Sequence, residues 1–166
     1  MNAYADRRER VTSESLLPIS NNLYEYGRVT DRATVHRWVA GYELAWRTSG
    51  TNGLSALFTA DATYLHSPYE EPVVGIHAIS KMWDDDRDGP DEVFTLSTEI
   101  VAVEGDTAVV RADVQYREPI RQEYRDLWLM RFDDDGRCAH FEEWPYWPGH
   151  PYDPRDDAGP ASTASK

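Results

Sequence analysis

Between Thr107 and Trp147 the chain falls into three runs of strand-like residues, Thr107–Arg117, Glu123–Phe132 and Cys138–Trp147. β-Branched and aromatic residues fill these runs. Gly, Pro and Asp punctuate them, most sharply in the turn Asp133-Asp134-Asp135-Gly136. Successive antiparallel strands joined by short turns are the economical solution for such a stretch. Unusual polar groups sit inside the strands, Arg111, Asp113, Asp126, Glu142 and Glu143 among them. Charges inside an apolar sheet are either its solvated face or the lining of a pocket. Alternation puts Arg111 and Asp113 on one face, with Val110, Ala112 and Val114 on the other. That pattern alone reads as an outward polar face over an apolar core face. Clustering with other polar residues would make it a pocket wall.

The rest of the chain supplies helices. Val35, Trp38, Val39, Tyr42, Ala45 and Trp46 follow helical spacing from Asp31, and Ser49-Gly50 stop it. A short second helix is expected over Leu54–Phe58, broken at Ala60-Asp61, followed by a strand over Ala62–Ser67. Gly75 leads into a third helix with Ile76, Ile79, Met82 and Trp83 on its apolar side. A further strand is expected over Val93–Val103, turning at Glu104-Gly105-Asp106. Residues 1–30 read as a partly mobile arm, 31–148 as one domain, and 149–166 as a disordered acidic and small-residue tail. Helices first and antiparallel strands last describe an α+β fold, helices gathered on one face of a curved sheet.

Composition removes several classes of function. With 17 Lys and Arg against 30 Asp and Glu, the net charge is −13, the wrong sign for nucleic acid or an anionic membrane. Cys138 is the only cysteine, so there is no internal disulfide, and it reads as a small buried residue rather than a reactive thiol. No secretory h-region and no membrane-spanning run is present, which makes the cytoplasm the expected location. Asp84, Asp86, Asp88 and Gly89 match half of a calcium loop, but Thr95 stands where the closing Glu is needed. His36, His77, His140 and His150 have no partner spacing for a metal. Neither metal nor cofactor is expected.

The order and wording of LSALFTADATYLH, EEPVVGIHAISKMW, EIVAVEGDTAVVRADVQY and LMRFDDDGRCAHFEEWPYWP resemble the NTF2-like superfamily, particularly its SnoaL-like branch. The resemblance implies a cone, with three N-terminal helices closing a strongly curved, mainly antiparallel sheet around an apolar cavity. It also implies a homodimer formed through the sheet. Among such proteins limonene-1,2-epoxide hydrolase uses an Arg-x-Asp, a second Asp on the last strand, and a Tyr-x-Asn on the first. Arg111-Ala112-Asp113 is similar to the first element, Glu143 stands near the second, and Tyr64-Leu65-His66 is similar to the third. Glu replaces Asp and His replaces Asn.

On that resemblance Tyr64, His66, Arg111, Asp113 and Glu143 converge as catalytic candidates. Glu143 is preferred to its neighbour Glu142 because it shares a face with Ala139 and Phe141, whereas Glu142 shares one with His140 and Trp144. Trp38, Tyr42, Trp83, Trp128 and Trp147 are candidates for the cavity wall. Two acids whose environments separate their pKa values form an acid–base pair. The expected function is cofactor-independent acid–base chemistry on a small or medium apolar molecule: epoxide hydrolysis, cyclisation or isomerisation. A non-catalytic ligand-binding domain and a structural dimerisation module are the alternatives.

Overall fold

The computed structural model describes residues 30–86, 92–119 and 121–149. The expected arm and tail lie outside the described residues, except for Thr30 and Gly149. The elements run α1 (Arg32–Arg47), α2 (Leu54–Leu57), β1 (Phe58–Leu65), β2 (Val73–Val74), α3 (Ile76–Asp86), β3 (Val93–Glu104), β4 (Thr107–Glu118), β5 (Gln122–Phe132) and β6 (Cys138–Tyr146). They form one six-stranded open sheet in the order β2-β1-β6-β5-β4-β3. Every pairing is antiparallel except β1 with β6, so the sheet is mixed. The α+β class holds. The helices do not all precede the sheet, because β1 and β2 lie between α2 and α3, and α2 is a single turn.

Helix α1 begins where Asp31 accepts a hydrogen bond from the Thr34 N–H at 2.7 Å, satisfying a first-turn donor. Its buried stripe is Val35, Trp38, Val39, Tyr42 and Ala45. Trp38 ties this helix to α2 by donating its indole N–H to the Leu57 carbonyl at 2.8 Å. The strands bury one face each: Ala108, Val110, Ala112 and Val114 from β4, Trp128, Met130 and Phe132 from β5, and Phe141 from β6. Helix stripe and concave face meet in one aromatic core. Trp38 stacks on Tyr42 at 4.9 Å and on Phe141 at 5.6 Å. Offset stacking of this kind adds to the area that the rings remove from water.

Several local features depart from the expected pattern. Strand β1 starts at Phe58, and Ala60-Asp61 do not break it; its pairing with β6 shifts between Phe58 and Thr63. A bulge absorbs this stretch and bends the strand instead of ending it. Further register shifts occur along β3 and between β5 and β6, where bulges curve a sheet. Strand β2 has two residues, too few to show a period. Asp84, Asp85 and Asp86 form the last residues of α3 rather than an acidic loop, and Arg87–Gly89 lie outside the described residues.

Candidate functional site

Strand alternation decides which polar residues look inward. On β4, Val110 and Ala112 are fully buried and Val114 nearly so, which sends Arg111 and Asp113 to the convex face. There Arg111 pairs with Glu99 on β3, and Asp113 lies 3.7 Å from Arg125 on β5. Their side chains are 55% and 49% exposed. The expectation that they line the cavity is therefore corrected. A strand cannot turn these two inward without turning Val110, Ala112 and Val114 out to water.

The other three candidates do come together. Glu143 on β6 reaches Tyr64 and His66 at the end of β1, across the parallel pairing of these strands. Tyr64 donates its hydroxyl to Glu143 Oε1 at 3.2 Å, and His66 Nδ1 lies 3.1 Å from the same oxygen. The Tyr42 hydroxyl from α1 lies 2.8 Å from that of Tyr64. A carboxylate only accepts, so the protons run from Tyr42 to Tyr64 to Glu143. Oε2 of Glu143 makes no hydrogen bond among the described residues. His66 Nε2 lies 2.9 Å from Met82 Sδ and 3.5 Å from Asp86 Oδ2, both on α3.

Electrostatics follow from these contacts. The hydrogen bond to Glu143 raises the His66 pKa; burial opposes this, and the charges of Glu143, Asp86 and Glu70 reinforce it. Burial, with the charge of Glu143 next, pushes the phenols of Tyr42 and Tyr64 well above 10, so both keep their protons. Glu142, on the other face, accepts from the Trp144 indole at 2.9 Å and lies 3.7 Å from His140.

A cavity of about 170 Å³ opens onto this network, walled by Tyr42, Tyr64, Met82 and Trp83. A second lobe of about 400 Å³ adds Val114, Gln122, Tyr124, Asp126 and Pro145. The two lobes share Trp46, His66, Asp86, Glu92, Tyr116 and Glu143. A third depression of about 500 Å³ runs outward from His66 and Glu143 past Pro68, Tyr69, Trp144 and Trp147. Of the rings expected in the wall, Tyr42, Trp83 and Trp147 take such places. Trp38 and Trp128, 3% and 1% exposed, pack behind the wall as core.

Sequence reasoning passed over Asp126 as a site residue. It is 6% exposed, on the concave face between Tyr124 and Trp128. Burial raises its pKa to about 7, helped by the charge of Glu143. The Trp128 indole tempers that rise, yet neither Asp126 Oδ1 nor Trp128 Nε1 completes a hydrogen bond. The signal was available: Tyr124, Asp126, Trp128, Met130 and Phe132 alternate on one face, and its other members are apolar or aromatic. Cys138 is fully buried, with its thiol pushed up to about 12 by burial, and takes no part in the site.

Similar folds surround this arrangement. The LEH-like epoxide hydrolase of M. tuberculosis superposes with a TM-score of 0.53 at 13% identity, covering 69% of this chain and 84% of that one. The epoxide hydrolase/cyclase-like enzyme SalBIII, of pyran ring formation in the polyether salinomycin, gives 0.58 at 14% identity, covering 70% and 93%. A ketosteroid isomerase-like protein from Erwinia carotovora atroseptica gives 0.50 at 19% identity, covering 70% and 96%. At these identities the likeness establishes the fold. No curated protein matches the sequence. The model of the SnoaL-like domain matches residues 29–141, more than half of the chain. This protein belongs to the SnoaL-like domain family.

Proposed function

We propose that this chain is a cofactor-independent acid–base enzyme of the isomerase, cyclase or hydrolase kind, working at Glu143 in the inner lobe. The observation that carries the reading is Glu143 Oε1, which takes both Tyr64 and His66 on the wall of a cavity and leaves Oε2 for a ligand. Glu143 is the proton acceptor and the His66 imidazolium the donor. Their hydrogen bond fixes the ring and favours its charged form. In isomerisation, Glu143 takes a proton from carbon beside a carbonyl. The electron pair moves to the carbonyl oxygen, which receives a proton from His66; Glu143 then delivers its own proton to another carbon as the enol O–H returns its proton to His66 and the carbonyl re-forms. In hydrolysis, Glu143 takes a proton from water as that oxygen attacks carbon. The C–O bond breaks towards the leaving oxygen, which His66 protonates. Tyr42 and Tyr64, held protonated, keep Glu143 aligned in either case. The epoxide hydrolase, cyclase-like and ketosteroid isomerase-like neighbours support this choice of reaction classes.

The test is a screen of small epoxides and enolisable ketones in deuterium oxide, reading turnover and deuterium uptake at carbon. Wild type should turn over at least one class, and Glu143→Gln should lower that rate by about a hundredfold or more. Ligands that bind with neither turnover nor exchange would make this a binding domain instead. A Glu143→Gln variant as active as wild type would remove Glu143 from the chemistry.

A further inference from the structure

The charge of the cavity wall says something about its ligand. The shared part of the two lobes carries Asp86, Glu92 and Glu143, and the larger lobe adds Asp126. Among the described residues no Lys or Arg lines either lobe, and His66 is the one group there that can become cationic. Acidic residues on their own would say little, since a carboxylate cluster in water is simply solvated. Asp126 is different. It is 94% buried, being 6% exposed, and its Oδ1 has no hydrogen-bond partner. A carboxyl this buried holds its proton unless a positive charge is brought beside it, so a cation in the lobe is answered by its ionisation.

Rings surround these acids. Trp46, Tyr116 and Tyr124 line the lobe that holds Asp126. Tyr116 lies 6.1 Å from Trp46 and 6.1 Å from Tyr124, centroid to centroid, so the three form a connected aromatic wall. Aromatic faces carry partial negative charge, and with desolvated carboxylates they select ammonium groups over neutral groups of the same shape. An anionic ligand would meet repulsion from every ionised acid in the wall. A purely apolar ligand would bring no counter-charge to the acids of the wall. The −13 charge of the whole chain adds long-range attraction for a cation.

We propose that the larger lobe is a subsite for an organic cation, the ammonium group of a substrate seated among Trp46, Tyr116, Tyr124 and Asp126 while its apolar remainder reaches Glu143. This rests on the reading of the cavity as the substrate site and narrows the substrate class to amines and quaternary ammonium compounds with an apolar body. The division of labour follows the wall. Asp126 lines only the larger lobe, whereas Tyr42 and Tyr64 line only the smaller one.

An isosteric pair tests the proposal on the full chain: (3-hydroxyphenyl)trimethylammonium and 3-tert-butylphenol, which differ in the charge of one central atom. Calorimetry and ligand-observed NMR read both. The cation should bind roughly tenfold tighter or more, the scale of ring–cation contacts beside a desolvated carboxylate. Asp126→Asn, isosteric and uncharged, should shrink that ratio several-fold, and Trp46→Leu should do the same without touching a charge. Should either variant fail to fold, Glu92→Gln serves as the charge variant and Tyr124→Leu as the ring variant. Equal or tighter binding of 3-tert-butylphenol overturns the cation preference and leaves the cavity standing as a ligand site. Binding of neither probe overturns both. A preference unchanged in the charge variant and in the ring variant overturns the assignment to this lobe.

Discussion

Asp126 carries a carboxyl where β5 otherwise buries hydrocarbon and rings. Its pKa near 7 in the fold, against 3.8 for the ordinary side chain, fixes the sign of a stability effect. Between those values the unfolded chain has lost the proton and the folded chain still holds it. Stability therefore falls as pH rises through that window. Asp126→Asn removes the charged state and should gain about 1–3 kcal/mol at pH 8, a range discounted for the solvent that reaches the lobe. At pH 4 it should gain next to nothing. Denaturant melts at the two pH values read the difference, and equal offsets would contradict the burial of this carboxyl. Arg111 and Asp113 lead to the opposite expectation. Exposed on the convex face of a single chain, they exchange partners with water readily, so at concentrations where the chain is monomeric Arg111→Ala and Asp113→Asn should each shift stability by no more than about 0.5 kcal/mol. A loss of several kcal/mol in the monomer would contradict their outward direction.

Helix α1 does two jobs with one stripe. Trp38 fills the core, stacked on Tyr42 and Phe141 and edge-on to Phe58 at 5.5 Å. One turn later Tyr42 reaches the cavity and the Tyr64 hydroxyl. Truncation at the two positions should separate structure from site. Trp38→Ala should cost about 3–5 kcal/mol, since the hole would open beneath an aromatic cluster and the Leu57 carbonyl would lose its donor. Tyr42→Phe should cost only about 1 kcal/mol, the scale of one hydrogen bond. It should lower turnover all the same, because Tyr64 would be freed to turn away from Glu143. If Tyr42→Phe were the more damaging to stability, the hydroxyl pair would be a structural bond rather than part of the site.

At the scale of the molecule, one sheet carries two unlike faces. The concave face meets α1 and holds the cavity. The convex face shows Glu99, Arg111, Asp113 and Arg125, with Leu127 37% exposed among them. We propose that two copies associate through the convex face as a homodimer, as the family resemblance implies. Trp128 lies in the core and adds no ring to that face. Cross-paired charges and Leu127 would have to hold the interface. Sedimentation should then give twice the 19.0 kDa of one chain, with dissociation favoured by salt. A concentration-independent monomer at micromolar protein would end this proposal. No helix among the described residues is long and apolar enough to cross a membrane.

Periodicity is a local property, and what it governs was legible in the chain itself. The α1 stripe and the three long strands from Thr107 onward follow from residue spacing, and so does the choice of Glu143 over Glu142. The same alternation already set Asp126 among Trp128, Met130 and Phe132. Its role went unread because a lone acid in an apolar series has no local partner to announce it. Only the tertiary structure could decide three matters. It decided between two readings of Arg111 and Asp113, the outward face that alternation suggested and the pocket wall that the family resemblance implied. It carried β1 through Ala60-Asp61, because a bulge depends on the partner strand β6 and not on the residues that bulge. It joined Tyr42, Tyr64, His66 and Glu143, because no spacing along the chain encodes the parallel pairing that lays the first strand beside the last.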